Sequence, residues 1–291
     1  MSNLKGVGVA LVTPFNEDLS VDFESLTKLV EYNIKNGTNY LVVLGTTAEV
    51  ATLSTDEKKA VIAHIIKIND QRLPLVLGIG GNNTLEVKKQ IETTDLTAFA
   101  AVLSVSPYYN RPSQEGLYQH YKALAETGKQ IIIYNVPSRT GQNIDAGTTI
   151  RLAHDFPNLF LIKEAAPNIL QYFDILRQKP EHFNLVSGDD EYTLPVTLAG
   201  GQGVISVIGQ GYPQQFSSMV QYAFDGKVKE AYEIHNQMVD ITRLIFAEGN
   251  PAGIKTVLEE LGICKSYVRL PLVSATSWLK ENIKAAMDKI K

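Results

Sequence analysis

Cysteine is almost absent: Cys264 is the only one in the chain. A lone thiol excludes an intrachain disulfide and any zinc site built on paired cysteines. Its setting at the end of Leu-Gly-Ile-Cys264 suits a small buried apolar role. There is no basic excess either, because the formal net charge is −4. Such mild acidity leaves no electrostatic footprint for nucleic acid or for an anionic membrane. No run approaches the roughly 18 apolar residues that a membrane span needs. Met1–Gly6 has no basic stretch followed by a long apolar run, so it does not read as a signal peptide, and a cytoplasmic protein is expected. Histidine is scarce. His64, His120, His154, His182 and His235 show no metal-binding spacing and read as surface or helix residues. Neither a short internal repeat nor a low-complexity segment interrupts the chain.

What is present is an alternation. Apolar, β-branched runs predict strands over 7–12, 40–44, 75–79, 100–105, 130–135, 159–163, 184–187 and 203–207. Several are apolar throughout, as befits parallel strands covered on both faces. Amphipathic segments predict helices over 22–35, 54–67, 84–94, 113–127, 145–154 and 168–177. The second opens on Ser54-Thr-Asp-Glu57, a capping-box pattern. Strand-helix units spaced by roughly 20–35 residues predict an α/β chain, a (β/α)8 TIM barrel over 1–212. The rival open doubly wound sheet would carry a glycine-rich turn after its first strand, where this chain has Thr13-Pro-Phe15. From 213 to 291 the pattern turns to helices alone, which predicts a C-terminal helical appendage.

Lys163 stands out within this pattern. It is the only charge between Asp155 and Glu164, in a run that reads as a buried strand. Two readings are open. The side chain can reach solvent at the strand end. Alternatively it is desolvated, and a desolvated lysine favours the neutral amine that attacks carbonyls and forms a Schiff base.

The other predicted strand ends are unusually polar. They carry Gly45-Thr46-Thr47, the segment 78–83, Tyr108-Tyr109, Tyr134 to Gly141, and Ser187 to Asp190. Taken singly, each has a plain alternative. Gly45-Thr46-Thr47 is either a turn or a small cradle of hydroxyls and amides for a carboxylate. The two tyrosines are either packing aromatics or functional phenols. Asp189-Asp190 suggests a metal only weakly without histidines, and helix N-terminal charge accounts for it better. Together, a desolvated lysine, candidate phenols, adjacent hydroxyls and an arginine describe a Schiff-base aldolase acting on an α-keto acid.

The motifs Gly45 to Glu49, Pro107 to Pro112, Tyr134 to Gly141, Ile162 to Ala165 and Ser187 to Asp190 resemble the dihydrodipicolinate synthase branch of the N-acetylneuraminate lyase superfamily. The resemblance covers nearly the whole chain. It implies a lyase of lysine and diaminopimelate biosynthesis that condenses pyruvate with L-aspartate 4-semialdehyde. It implies a covalent imine on Lys163 and no cofactor. Tyr134 would carry protons to and from the bound intermediate, and Thr46 and Tyr109 would complete the relay, Tyr109 reaching in from a neighbouring subunit. Thr47, Gly188 and Ile205 would hold pyruvate, and Arg139 would meet the carboxylate of the second substrate. A homotetramer built as a dimer of dimers is implied. Asn82, Glu86 and Tyr108 match an effector pocket. The resemblance breaks at Ala48, where the family has glycine. It also breaks at Val50, Thr55 and Lys58, where lysine-inhibited members carry serine and histidines. A sibling N-acetylneuraminate or 2-keto-3-deoxy sugar-acid lyase is the near alternative, and a non-catalytic barrel scaffold the distant one.

Overall fold

A computed structural model describes residues 4–290. Eight parallel strands close into a barrel in sequence order. They are β1 (Gly6–Ala10), β2 (Tyr40–Val43), β3 (Leu75–Gly78), β4 (Ala101–Val105), β5 (Ile131–Asn135), β6 (Leu159–Glu164), β7 (Asn184–Ser187) and β8 (Gly203–Ser206). Nearly every strand residue is buried, and the strands are rich in Val, Ile and Leu. This is the expected result for a parallel sheet covered on both faces, where an alternating pattern would expose apolar groups.

The helices between the strands start where the chain offers a cap. Asp22 accepts from Ser25 N–H ahead of α1 (Phe23–Lys35). Ser54 and Glu57 form the reciprocal capping box of α2 (Thr55–Asn69). Asn83, Ser113 and Asn168 cap α3 (Thr84–Thr93), α4 (Gln114–Ala125) and α7 (Ile169–Gln178) through their side chains. Between the latter two lie the one-turn α5 (Pro137–Thr140) and α6 (Ala146–Asp155). After β7 comes α8 (Thr193–Leu198). The last four helices are α9 (Pro213–Phe224), α10 (Val228–Leu244), α11 (Ala252–Glu260) and α12 (Ser277–Met287).

Strand and helix positions match the sequence-based expectation, and the ends differ for local reasons. β1 stops at Ala10 rather than Val12, whose N–H donates to the Gln210 side chain instead of a strand neighbour. β2 stops before Leu44, which takes a left-handed φ of 54° that no strand accommodates. The short helices α5 and α8 escaped the sequence reading because one or two turns leave no clear apolar period. Pro137 opens α5 and Gly141, at φ 73°, ends it.

The described residues form two compact units, one of residues 4–5 and 74–205, the other of 6–73 and 206–290. In the first unit, β5, β6 and β7 lie side by side, so that Tyr134 pairs with Lys163, and Lys163 with Val186. In the second, Tyr32 and Asn33 of α1 donate to Gly211 O and Gln210 O after β8, and the Gln210 side chain donates to Ala10 O of β1.

Candidate active site

Active-site groups of such barrels lie at the C-terminal ends of strands. In the first unit, Lys163 is the penultimate residue of β6 and is 5% exposed. Its Nζ lies 4.3 Å from the centroid of the Tyr134 ring. The register of β5 against β6 causes this contact, because paired residues of parallel strands point the same way. Gly188 closes the other side. A Cβ there would stand 2.8 Å from Lys163 Cε and 3.0 Å from Cγ, so only glycine leaves room for the lysine stem. Among the described residues Lys163 has no carboxylate partner. That sets it apart from the other buried lysine, Lys255, whose Nζ is 2.6 Å from Glu49 Oε1. The Tyr134 side chain is buried too, and its hydroxyl makes no hydrogen bond among the described residues.

Behind Lys163, the next side chain of β6 faces away from it, as strand alternation requires. Glu164 is fully buried and accepts from Asn135 Nδ2 at 2.9 and 3.0 Å, Gln171 Nε2 at 2.8 Å and Ala166 N–H at 2.7 Å. Asn143 links the two amides, donating to Gln171 and accepting from Asn135. Burial pushes the Glu164 carboxyl up to about 7, against the pull of these donors. Burial likewise raises the Asp189 carboxyl, which accepts from Glu191 N–H at 2.9 Å. Among the described residues no cluster of three or more His, Cys, Asp or Glu side chains is placed to hold a metal ion.

The remaining predicted residues of this unit occupy different surroundings. Ile205 is buried on β8, in the strand paired with β7. Arg139 is exposed on α5 and makes no ion pair among the described residues, so it does not hold the Pro137-Ser138 turn by charge. Tyr108 is 42% and Tyr109 is 89% exposed, and Tyr109 adopts a φ of 78°. Tyr109 therefore presents nearly all of its side chain to solvent in its own chain. Asn82 and Glu86 are exposed.

In the second unit, Thr46, Thr47 and Ala48 form a single 3-10 turn at the C-terminal end of β2. Thr46 is half-buried, with no hydrogen bond to its hydroxyl among the described residues. Thr47 is buried and accepts from Asn250 Nδ2 at 2.9 Å. Ala48 in place of glycine is absorbed without strain, because the left-handed φ of this turn, 54°, falls on Glu49. Thr13 Oγ1 donates to Ala48 O at 2.8 Å. The Glu49 carboxylate takes Lys255 Nζ on one oxygen and Arg269 N–H on the other. Lys255 also donates to Tyr267 O, and the Arg269 guanidinium pairs with Glu57. The C-terminal end of the turn is thus clamped from three sides, by Thr13, Lys255 and Arg269.

Sequence reasoning missed Asn135, Gln171, Asn250 and Lys255. Asn250 was visible only as part of a Gly-Asn-Pro helix break, and Lys255 is an ordinary lysine in a helical pattern. The partners of Asn250 and Lys255 lie 203 and 206 residues away, so no local signal marks either residue.

A closed parallel barrel with Lys163 buried against Tyr134 at a strand end suits a class I aldolase-type lyase, and that is the class to which comparison with known proteins assigns the chain. Residues 3–290 match the dihydrodipicolinate synthetase family, and the chain belongs to it. The 4-hydroxy-tetrahydrodipicolinate synthase of Flavobacterium psychrophilum is 54% identical, over 96% of this chain and 95% of its own length. The crystal structure of dihydrodipicolinate synthase from Thermotoga maritima superposes with a TM-score of 0.95 at 37% identity, covering 99% of this chain and 98% of that one. The chloride-inhibited enzyme from Acinetobacter baumannii, complexed with pyruvate, gives the same score and identity with 99% coverage of both chains. No helix among the described residues is long and apolar enough to cross a membrane.

Proposed function

We propose that this chain is a cytoplasmic synthase that condenses pyruvate with L-aspartate 4-semialdehyde through an imine on Lys163. The observation that carries the proposal is the setting of Lys163: buried, without an acid partner among the described residues, set over the Tyr134 ring, with a glycine opposite its stem. A neutral amine here adds to the ketone carbon of pyruvate and expels water, leaving an imine. Loss of a methyl proton then gives an enamine, which attacks the aldehyde carbon of the second substrate. Attack of that substrate's amine on the imine carbon closes the ring and releases Lys163. No metal or cofactor is needed for these steps.

Tyr134 is the group within reach to move protons at the imine, with Thr46 as its relay partner. Thr47 binds the pyruvate carboxylate with its hydroxyl, while Gly188 and Ile205 shape the space for it. Arg139, exposed and without an ion pair among the described residues, takes the carboxylate of the semialdehyde in a bidentate fork. The exposure of Tyr109 supports its service in a neighbouring subunit, within a homotetramer built as a dimer of dimers.

The test is to incubate the protein with pyruvate, reduce with borohydride and locate the added mass by peptide mapping. A stable adduct on Lys163, lost in Lys163→Ala and in Lys163→Arg, is the expected result. An adduct on another lysine refutes the assignment. Turnover of aspartate 4-semialdehyde then separates this synthase from a sugar-acid lyase.

A further inference from the structure

Thr47 Oγ1 accepts from Asn250 Nδ2 at 2.9 Å across 203 residues of sequence. Both side chains are buried. A hydroxyl has one proton and two lone pairs. An amide N–H aimed at the oxygen fills a lone pair and leaves the proton to be donated elsewhere. Among the described residues nothing receives that proton. The backbone of the turn does not depend on Asn250, since Thr13 holds Ala48 O while Lys255 and Arg269 hold Glu49. Only the rotation of the Thr47 hydroxyl is left for Asn250 to set.

Asn250 has a second feature. Its Oδ1 is buried with no hydrogen-bond partner among the described residues. An unpaired buried carbonyl oxygen costs stability. A residue serving stability alone would be better replaced by an apolar one of the same shape.

We infer that Asn250 is a positioning residue: by donating to Thr47 Oγ1 it turns the Thr47 proton toward the site, where the hydroxyl becomes an obligatory donor to the carboxylate of the keto-acid substrate. This rests on the assignment of Thr47 to pyruvate above. Aspartate is the informative replacement. It has the same shape but can only accept, so it would draw the Thr47 proton to itself and set a second negative charge near the substrate.

The experiment measures the pyruvate concentration that half-saturates borohydride trapping on Lys163, in the full-length protein, for wild type, Asn250→Ala, Asn250→Asp, Thr47→Val and the Thr47→Val/Asn250→Ala double variant. Steady-state KM for aspartate 4-semialdehyde is measured alongside. Asn250→Ala is expected to raise half-saturation roughly tenfold, the loss of one well-directed hydrogen bond to a charged group. Asn250→Asp should raise it further, with KM for the semialdehyde within about twofold of wild type. Because both residues act through one proton, the double variant should be no worse than Thr47→Val alone. Wild-type half-saturation in Asn250→Asp, additive losses in the double variant, or equal increases for both substrates would each overturn the inference. If Asn250→Ala does not fold, the isosteric Asn250→Asp carries the test, and failure of both to fold makes Asn250 structural and also overturns it. A wild-type protein that forms no pyruvate adduct at Lys163 removes the proposed function itself. Normal trapping with unaffected Asn250 variants removes only the inference.

Discussion

Replacing Gly188 by alanine should disable Lys163 without unfolding the barrel. The added Cβ would lie 2.8 Å from Lys163 Cε, 3.0 Å from Lys163 Cγ and 2.8 Å from Ala165 Cβ. Carbon atoms sit comfortably at about 3.5 Å or more, so the lysine stem must move by roughly 0.7 Å or the backbone must give. The end of the lysine can swing, but Ala165 Cβ is fixed to its backbone. The Gly188 N–H, which donates to Glu164 O at 2.6 Å, resists movement of the loop. Its φ lies outside the left-handed region, so the penalty is steric rather than conformational. Inserting one methyl into such a packed position costs about 1–3 kcal/mol. For a chain of this size that lowers the melting temperature by roughly 2–5 °C. The chemical effect should be larger, because misplacing a reacting group by about 1 Å can cost on the order of 10²-fold in rate. Stopped-flow trapping of the pyruvate adduct, beside a thermal melt, measures both. Adduct formation at the wild-type rate with an unshifted melt would show that the stem is not held by Gly188.

Three further outcomes are expected. Glu49 and Lys255 form an ion pair with both side chains fully buried, so Glu49→Gln or Lys255→Met alone should cost about 3–5 kcal/mol in denaturant unfolding. The double Glu49→Leu/Lys255→Met variant should recover much of it, and additive losses would contradict a pairwise origin. Glu164 has its carboxyl raised from 4.5 to about 7 by burial, so its protonated form contributes stability that is complete below about pH 4.5 and lost as pH rises through about 7. Stability difference curves between wild type and Glu164→Gln should therefore slope only within that window, and a flat difference would place the native carboxyl near its ordinary value. Finally, mixing inactive Tyr109→Phe chains with inactive Lys163→Ala chains should restore activity once subunit exchange is confirmed by native mass spectrometry. Mixed oligomers that stay inactive would place the action of Tyr109 within its own chain.

Much of this protein was legible along the chain. Continuous Val, Ile and Leu runs declare parallel strands because each buries both faces, and Ser54, Asn83, Ser113 and Asn168 announce helix starts because their side chains answer the nearby free N–H groups. Lys163 was conspicuous because a charge on such a strand needs a reason. These signals are local, carried within a turn or two of chain. The tertiary structure alone decided what the local pattern could not. Strand register set Tyr134 beside Lys163, the course of the chain after β7 put Gly188 against the lysine stem, and long-range packing brought Asn250 to Thr47 and Lys255 to Glu49, 203 and 206 residues apart. Hydrogen bonds and ion pairs of that span depend on barrel closure and helix docking, so no short stretch of sequence determines them.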